Sequence, residues 1–208
     1  MELIPHNWNV IVVGLWNKAI LVPNFVSENI FGNLTGATFN VQIPVNLIGP
    51  PRIKNGDFVF IPDNQQIIIE IENCTIENLL KAMDYAKKSI EVLPLTPFFA
   101  SGFNINYEIR DINTTVLSNI MNSKIDNILS HQDYNIIDKK IVRTLSFNGG
   151  QINIIMDFIN AVKFEIQVNF HRDSILKDEL ISWISIQAVV LNSELSKILR
   201  LFEEGQYA

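Results

Sequence analysis

Cysteine is nearly missing: Cys74 is the only one among 208 residues. A single thiol forms no disulfide within the chain, and such sparing use fits a reducing compartment. No His or Lys stands near Cys74 in sequence to favour its thiolate, so it reads as a structural residue. Histidine is scarce too: His6, His131 and His171 stand apart, without the H-x3-H or C-x2-C spacing of a metal site. No G-x-S-x-G, phosphate loop or dinucleotide fingerprint occurs. Positive charge is short, with 16 Lys and Arg against 22 Asp and Glu and a net charge of −6. That balance argues against nucleic acid as a partner, because such affinity comes largely from clustered cations. No apolar run reaches the ~20 residues of a membrane span. The nearest, Leu180 to Leu191, is interrupted by Ser182, Ser185 and Gln187. The stretch before Val10–Leu15 carries no Lys or Arg, unlike a secretory signal. The expectation is a cytoplasmic protein with no cofactor, no metal and no membrane contact.

Apolar residues are plentiful, at 48% of the chain with 10% aromatic and 18% charged, enough for one domain over residues 1–208. The stretch from Thr75 to Arg110 organises the rest. Ile76, Leu79, Leu80, Met83, Ala86, Ile90 and Leu93 make a helical stripe behind a Thr75 cap, and Pro94 stops it. A clean strand follows, with Phe103, Ile105, Tyr107 and Ile109 facing one way and Asn104, Asn106, Glu108 and Arg110 the other. Before this hinge, Trp8 to Trp16 predicts a strand apolar on both faces, and Pro23 opens a short helix ended by Gly32. Further strands are expected at Phe39–Val45, Asp57–Ile61 and Gln65–Glu72, with a hairpin signal at Asn55-Gly56. After the hinge, a helix carrying Val116, Leu117, Ile120, Ile125, Ile128 and Leu129 precedes strands at Ile137–Phe147, Gln151–Ile159 and Val162–Phe170. Asp173 or Ser174 would cap a last helix running about 30 residues, roughly 45 Å, towards Phe202. Its apolar stripe is broadened by Trp183, Ile186, Val189 and Val190, although Asn192-Ser193 offers a break.

Residues 8–93 and 98–204 thus read alike: strand, helix, three strands, helix. Consecutive short strands with period-2 alternation predict an α+β fold, a mainly antiparallel curved sheet with helices on one face. This order resembles the saddle of the TATA-binding protein, where two such halves share one sheet. The chain is also similar to uncharacterised bacterial proteins of about this length whose opening strand ends in a Trp-Asn pair, as Trp16-Asn17 does here. Their helix–proline–strand centre matches Leu93-Pro94-Leu95-Thr96-Pro97 and Gly102-Phe103-Asn104. The resemblance implies shape and brings no functional residue to a position here. A DNA-binding saddle needs cations and intercalating Phe on its exposed face. This face instead offers Asn40, Gln42, Gln66, Glu70, Asn104, Asn106, Glu108, Gln167 and Asn169.

Two constellations invite a chemical reading. His171-Arg172-Asp173 matches the first letters of a kinase catalytic loop, but position 178 is Asp where that motif needs Asn. His171 with Asp173 and Glu165 is a candidate spatial cluster. The leading expectation is therefore a non-enzymatic interaction or assembly protein that binds itself or another protein. Its surfaces would be Trp183, Ile186, Val189 and Val190 on the last helix, and Asn104, Asn106, Glu108, Gln167 and Asn169 on the polar sheet face. The alternatives are a small-ligand protein or enzyme with a pocket between sheet and helices, and nucleic-acid binding by the saddle.

Overall fold

The computed structural model describes residues 2–33, 39–44, 49–111, 121, 123–159 and 163–203. Among these residues, nine strands form one open sheet: β1 (Glu2–Gly14), β2 (Asn40–Gln42), β3 (Arg52–Asn55), β4 (Phe58–Pro62), β5 (Gln66–Ile71), β6 (Phe98–Arg110), β7 (Lys139–Phe147), β8 (Gly150–Ile159) and β9 (Lys163–Asp173). Their order is β2-β3-β4-β5-β1-β6-β9-β8-β7, and every pairing is antiparallel. The fold is α+β with a large antiparallel sheet, as the alternation predicts. The apolar first strand is central, flanked by β5 and β6, and the two longest strands, β1 and β6, pair with each other in the middle of the sheet.

Alternation builds the core on one face. Val10 pairs with Phe103, Phe103 with Phe170 and Phe170 with Ile152; on the other side Val10 pairs with Ile69 and Ile69 with Phe60. All of these are buried, and the Phe103 and Phe170 rings stack with centroids 4.5 Å apart. Helix α1 (Pro23–Phe25) runs into a π-helical turn (Val26–Ile30) and ends at Gly32 with φ +73°. Helix α2 (Ile76–Val92) lies on β1 and β5 through Leu79, Met83 and Ala86, capped by Thr75 Oγ1, which accepts from Asn78 N at 3.2 Å. Helix α3 (Lys124–His131) precedes β7, and Ile125 and Ile128 are 66% and 56% exposed, so they are no part of the core expected of them. Val116, Leu117, Ile120, Val45 and Val162 lie outside the described residues.

The last helix differs most from expectation. It is two helices, α4 (Lys177–Trp183) and α5 (Ala188–Glu203), and the break falls before Asn192-Ser193. Ser185 explains it: its hydroxyl donates to Ile181 O and its N–H bonds Ser182 O, closing a tight last turn among β-branched neighbours. The bend lets Leu180 and Trp183 pack on β6 and β9 while Leu191, Leu195, Ile198 and Phe202 extend the same core. The stripe looked too wide because two segments bury different faces. The cap also differs: α4 starts after Leu176 with no side-chain cap, and Ser174 serves the loop by accepting from Leu176 N.

Candidate functional site on the open sheet face

The face opposite the helices is organised by register. Thr144, Asn153, Asn169, Asn104 and Asn9 stand opposite one another on β7, β8, β9, β6 and β1. Their side chains form a head-to-tail chain. Thr144 Oγ1 donates to Asn153 Oδ1 (2.7 Å), Asn153 Nδ2 to Asn169 Oδ1 (2.9 Å), Asn169 Nδ2 to Asn104 Oδ1 (2.8 Å) and Asn104 Nδ2 to Asn9 Oδ1 (2.8 Å). Gln167 Nε2 also donates to Asn104 Oδ1. Asn104 is 8% exposed, so this amide sits within the row and not on a solvated surface.

The row ends at a kink in β1. The register of β1 on β6 slips between His6 and Asn9, and Asn7 takes φ +51°, the left-handed conformation that Asn tolerates. One extra residue restarts the alternation, which is why His6 faces the open side while Trp8, with the same sequence parity, faces the core. His6 therefore lies on β1, which begins at Glu2 and not at Trp8 as the sequence suggests. The Asn7 carbonyl accepts from Asn9 Nδ2 and Asn106 Nδ2, and Trp8 Nε1 donates to Asn106 O.

Beside the kink is a cavity of about 170 Å³ lined by His6, Asn106, Gln167, Glu165, Asp157 and Lys140, among others. With the Asn106 nitrogen held by Asn7, its Oδ1 has no hydrogen-bond partner among the described residues, and neither has His6 Nε2; both atoms are buried. Glu165 Oε1 is 3.7 Å from His6 Nε2, beyond hydrogen-bond length. The next row is charged and closes on itself. Lys140 faces Asp157 at 3.7 Å, Lys163 binds Glu165 and lies 3.7 Å from Glu108, and Arg110 Nε holds Glu108 at 2.6 Å. The hydrogen bond from Arg110 keeps the Glu108 carboxyl below the ordinary carboxylate range, and the hydrogen bond to Glu165 raises Lys163. Three cations thus meet three carboxylates, so the floor is polar and near neutral.

The other half of this face is different. Arg52–Glu70 and Lys54–Glu72 reach across β4 and roof Val59 and Ile61, both buried although they point away from the helices.

No protein family, curated protein or solved structure matches the chain. The site is read from its own geometry.

Of the residues expected on the polar face, Asn104, Asn106, Glu108, Gln167 and Asn169 do come together there. The four on the last helix do not form one surface: Trp183 is 7% exposed beneath the β7–β8 turn, Ile186 and Val190 are half-buried, and Val189 is 78% exposed. Ile186 lines a separate groove of about 200 Å³ with Leu80, Met83 and Ile184 between α2 and α4. The imagined cluster of His171, Asp173 and Glu165 divides: His171 Nε2 meets Asp173 Oδ1 at 2.9 Å, while Glu165 neighbours His6. Arg172 points to the helix side, where it holds Glu179. No group of three or more His, Cys, Asp or Glu stands ready for a metal among the described residues. The sequence reading missed His6, Asn9, Asn153 and Thr144. Alternation on β8 (Gln151, Asn153 between Ile152 and Ile154) signals Asn153, whereas nothing local signals the extra residue at Asn7.

Cys74 lies on the core side near Tyr107, where burial raises its pKa. That is the reverse of an activated thiol. The geometry offers hydrogen-bonding groups held in place along the open face.

Proposed function

We propose that the chain is a non-enzymatic binding protein that takes a protein partner on its open sheet face. The observation that carries this reading is the pair of buried atoms on this face with no hydrogen-bond partner among the described residues, His6 Nε2 and Asn106 Oδ1, beside a row of amides that otherwise satisfy one another. Leaving a buried polar atom unpaired costs about 1–3 kcal/mol, and natural proteins carry few of them. A partner that presents donors and acceptors here recovers that cost. Each amide of the row donates one N–H within the sheet, and its second N–H makes no bond among the described residues. The near-neutral charge of the floor speaks against nucleic acid, and salt-dependent retention of oligonucleotides would reverse that judgement.

The same reading treats residues 8–93 and 98–204 as pseudo-equivalent halves: β1 and β5 at one side of the seam answer to β6 and β9 at the other, with β4 and β3 answering to β8 and β7. It also places the protein in the cytoplasm, in keeping with an unpaired Cys74. The second reading, a small polar ligand, is favoured by the cavity beside His6.

A photo-crosslinking residue at Ile155, on the open face, and another at Val189, on α5, separate these surfaces. Discrete cross-linked protein from Ile155 alone supports the sheet face. Products from Val189 alone would move the binding surface to the helix. Saturable chemical shifts at His6 with small polyols, with no cross-linked protein, would favour the small-ligand reading.

A further inference from the structure

We infer that β7 is a pairing edge for a second copy of this chain, in an antiparallel register centred on Thr144. The other edge, β2, is three residues long, whereas β7 runs nine residues and pairs with β8 without a register shift. Sheet edges are ordinarily guarded by proline, a bulge, a short strand, charged side chains or a covering helix or loop. β7 contains no proline and no bulge. Two of its three cations are engaged, Lys139 by Asp126 and Lys140 by Asp157. Residues 142 to 146 are all exposed, and none of the described residues covers the strand at its middle.

The sequence of the edge selects the occupant. An antiparallel two-fold centred on Arg143 sets two guanidiniums face to face, which is destabilising. One centred on Val142 draws Lys139 and Lys140 into the paired stretch opposite Leu145 and Thr144. One centred on Thr144 leaves both lysines outside it. Residues 141–147 then pair as Ile141 with Phe147, Val142 with Ser146, Arg143 with Leu145 and Thr144 with itself. Val142 and Leu145, 49% and 45% exposed, lie on opposite faces of the sheet, so this pairing covers apolar surface on both. A two-fold contact of this kind is self-complementary, as a closed dimer requires. Seven residue pairs bury less than the roughly 1,000 Å² of a stable interface, so the dimer forms reversibly and depends on concentration.

Disulfide scanning in a Cys74→Ser background tests the register. Thr144→Cys, Val142→Cys and Leu145→Cys are oxidised at matched concentrations and compared with urea-unfolded samples of each. The expected result is a covalent dimer from Thr144→Cys at least tenfold faster than from the other two, lost when the sample is unfolded. The parent chain should show a mass in light scattering that rises with concentration, and Thr144→Pro should abolish the rise. Fastest cross-linking at Val142→Cys, equal rates at all three positions, or a monomer at every concentration would each overturn the inference.

Discussion

At the scale of single residues, Asn104 is the junction of the open face. Its amide donates to Asn9 and accepts from both Gln167 and Asn169 in a position only 8% exposed. Asn104→Ala leaves three partners short and should cost about 2–4 kcal/mol, against about 1 kcal/mol for Asn153→Ala nearer the solvent. Urea midpoints at constant m-value measure both, and equal losses would mean the row is ornamental. Tyr107 gives a second test. Burial is the main cause that pushes its pKa up to about 12, and the Cys74 thiol adds to it. The folded pKa lies above the ordinary value of about 10, so the stabilisation is complete below that pH and fades as pH rises towards the folded value. One tyrosine should therefore ionise only as the protein unfolds in alkali, and Tyr107→Phe should remove that step from the absorbance titration. A strict steric limit holds at Gly102, where an added Cβ would sit 2.3 Å from the Phe170 carbonyl oxygen across β9.

At the scale of elements, two termini make distinct predictions. Thr75→Ala removes the α2 cap and should cost about 1 kcal/mol without changing the fold. On α4, hydrogen bonds first from Arg172 and then from Ser174 hold the Glu179 carboxyl below its ordinary range. The folded pKa is the lower one, so Glu179 stabilises the protein above the ordinary carboxylate pKa and ceases to do so as pH falls through the folded value. The stability advantage of the parent over Glu179→Gln should be full near about pH 6 and shrink towards about pH 3, read by Trp fluorescence in urea. An advantage that does not vary with pH would assign the effect to packing. The elements themselves were largely legible. Alternating Ile and Asn, the Thr75 cap, Pro94 and Asn55-Gly56 are local signals, and each element they announce is present within a residue or two. What local signals do not carry is a change of phase. The extra residue at Asn7 hid His6 and the true start of β1, and the turn at Ser185 split a continuous apolar pattern into two helices.

At the scale of the whole molecule, the site depends on pairings distant in sequence. The open-face row joins five strands, and no single segment reveals that their asparagines stand abreast, so the face was legible only as separate polar stripes. The seam between β1 and β6 is flanked on both sides and should exchange its amide hydrogens most slowly, while β2 and β7 at the edges exchange first. Hydrogen-exchange NMR checks the order, and protection in β7 equal to that in β6 at low concentration would contradict it. The central place of β1 also bears on how the chain is made. Trp8 bonds to Asn106, so on a ribosome adding about 5–20 residues each second, β1 waits on the order of 5–20 s for that neighbour. During that interval a greasy ribbon of the nascent polypeptide has at most β5 and α2 for company, with its β6 side open, and a chaperone that shields it should raise the yield of folded protein.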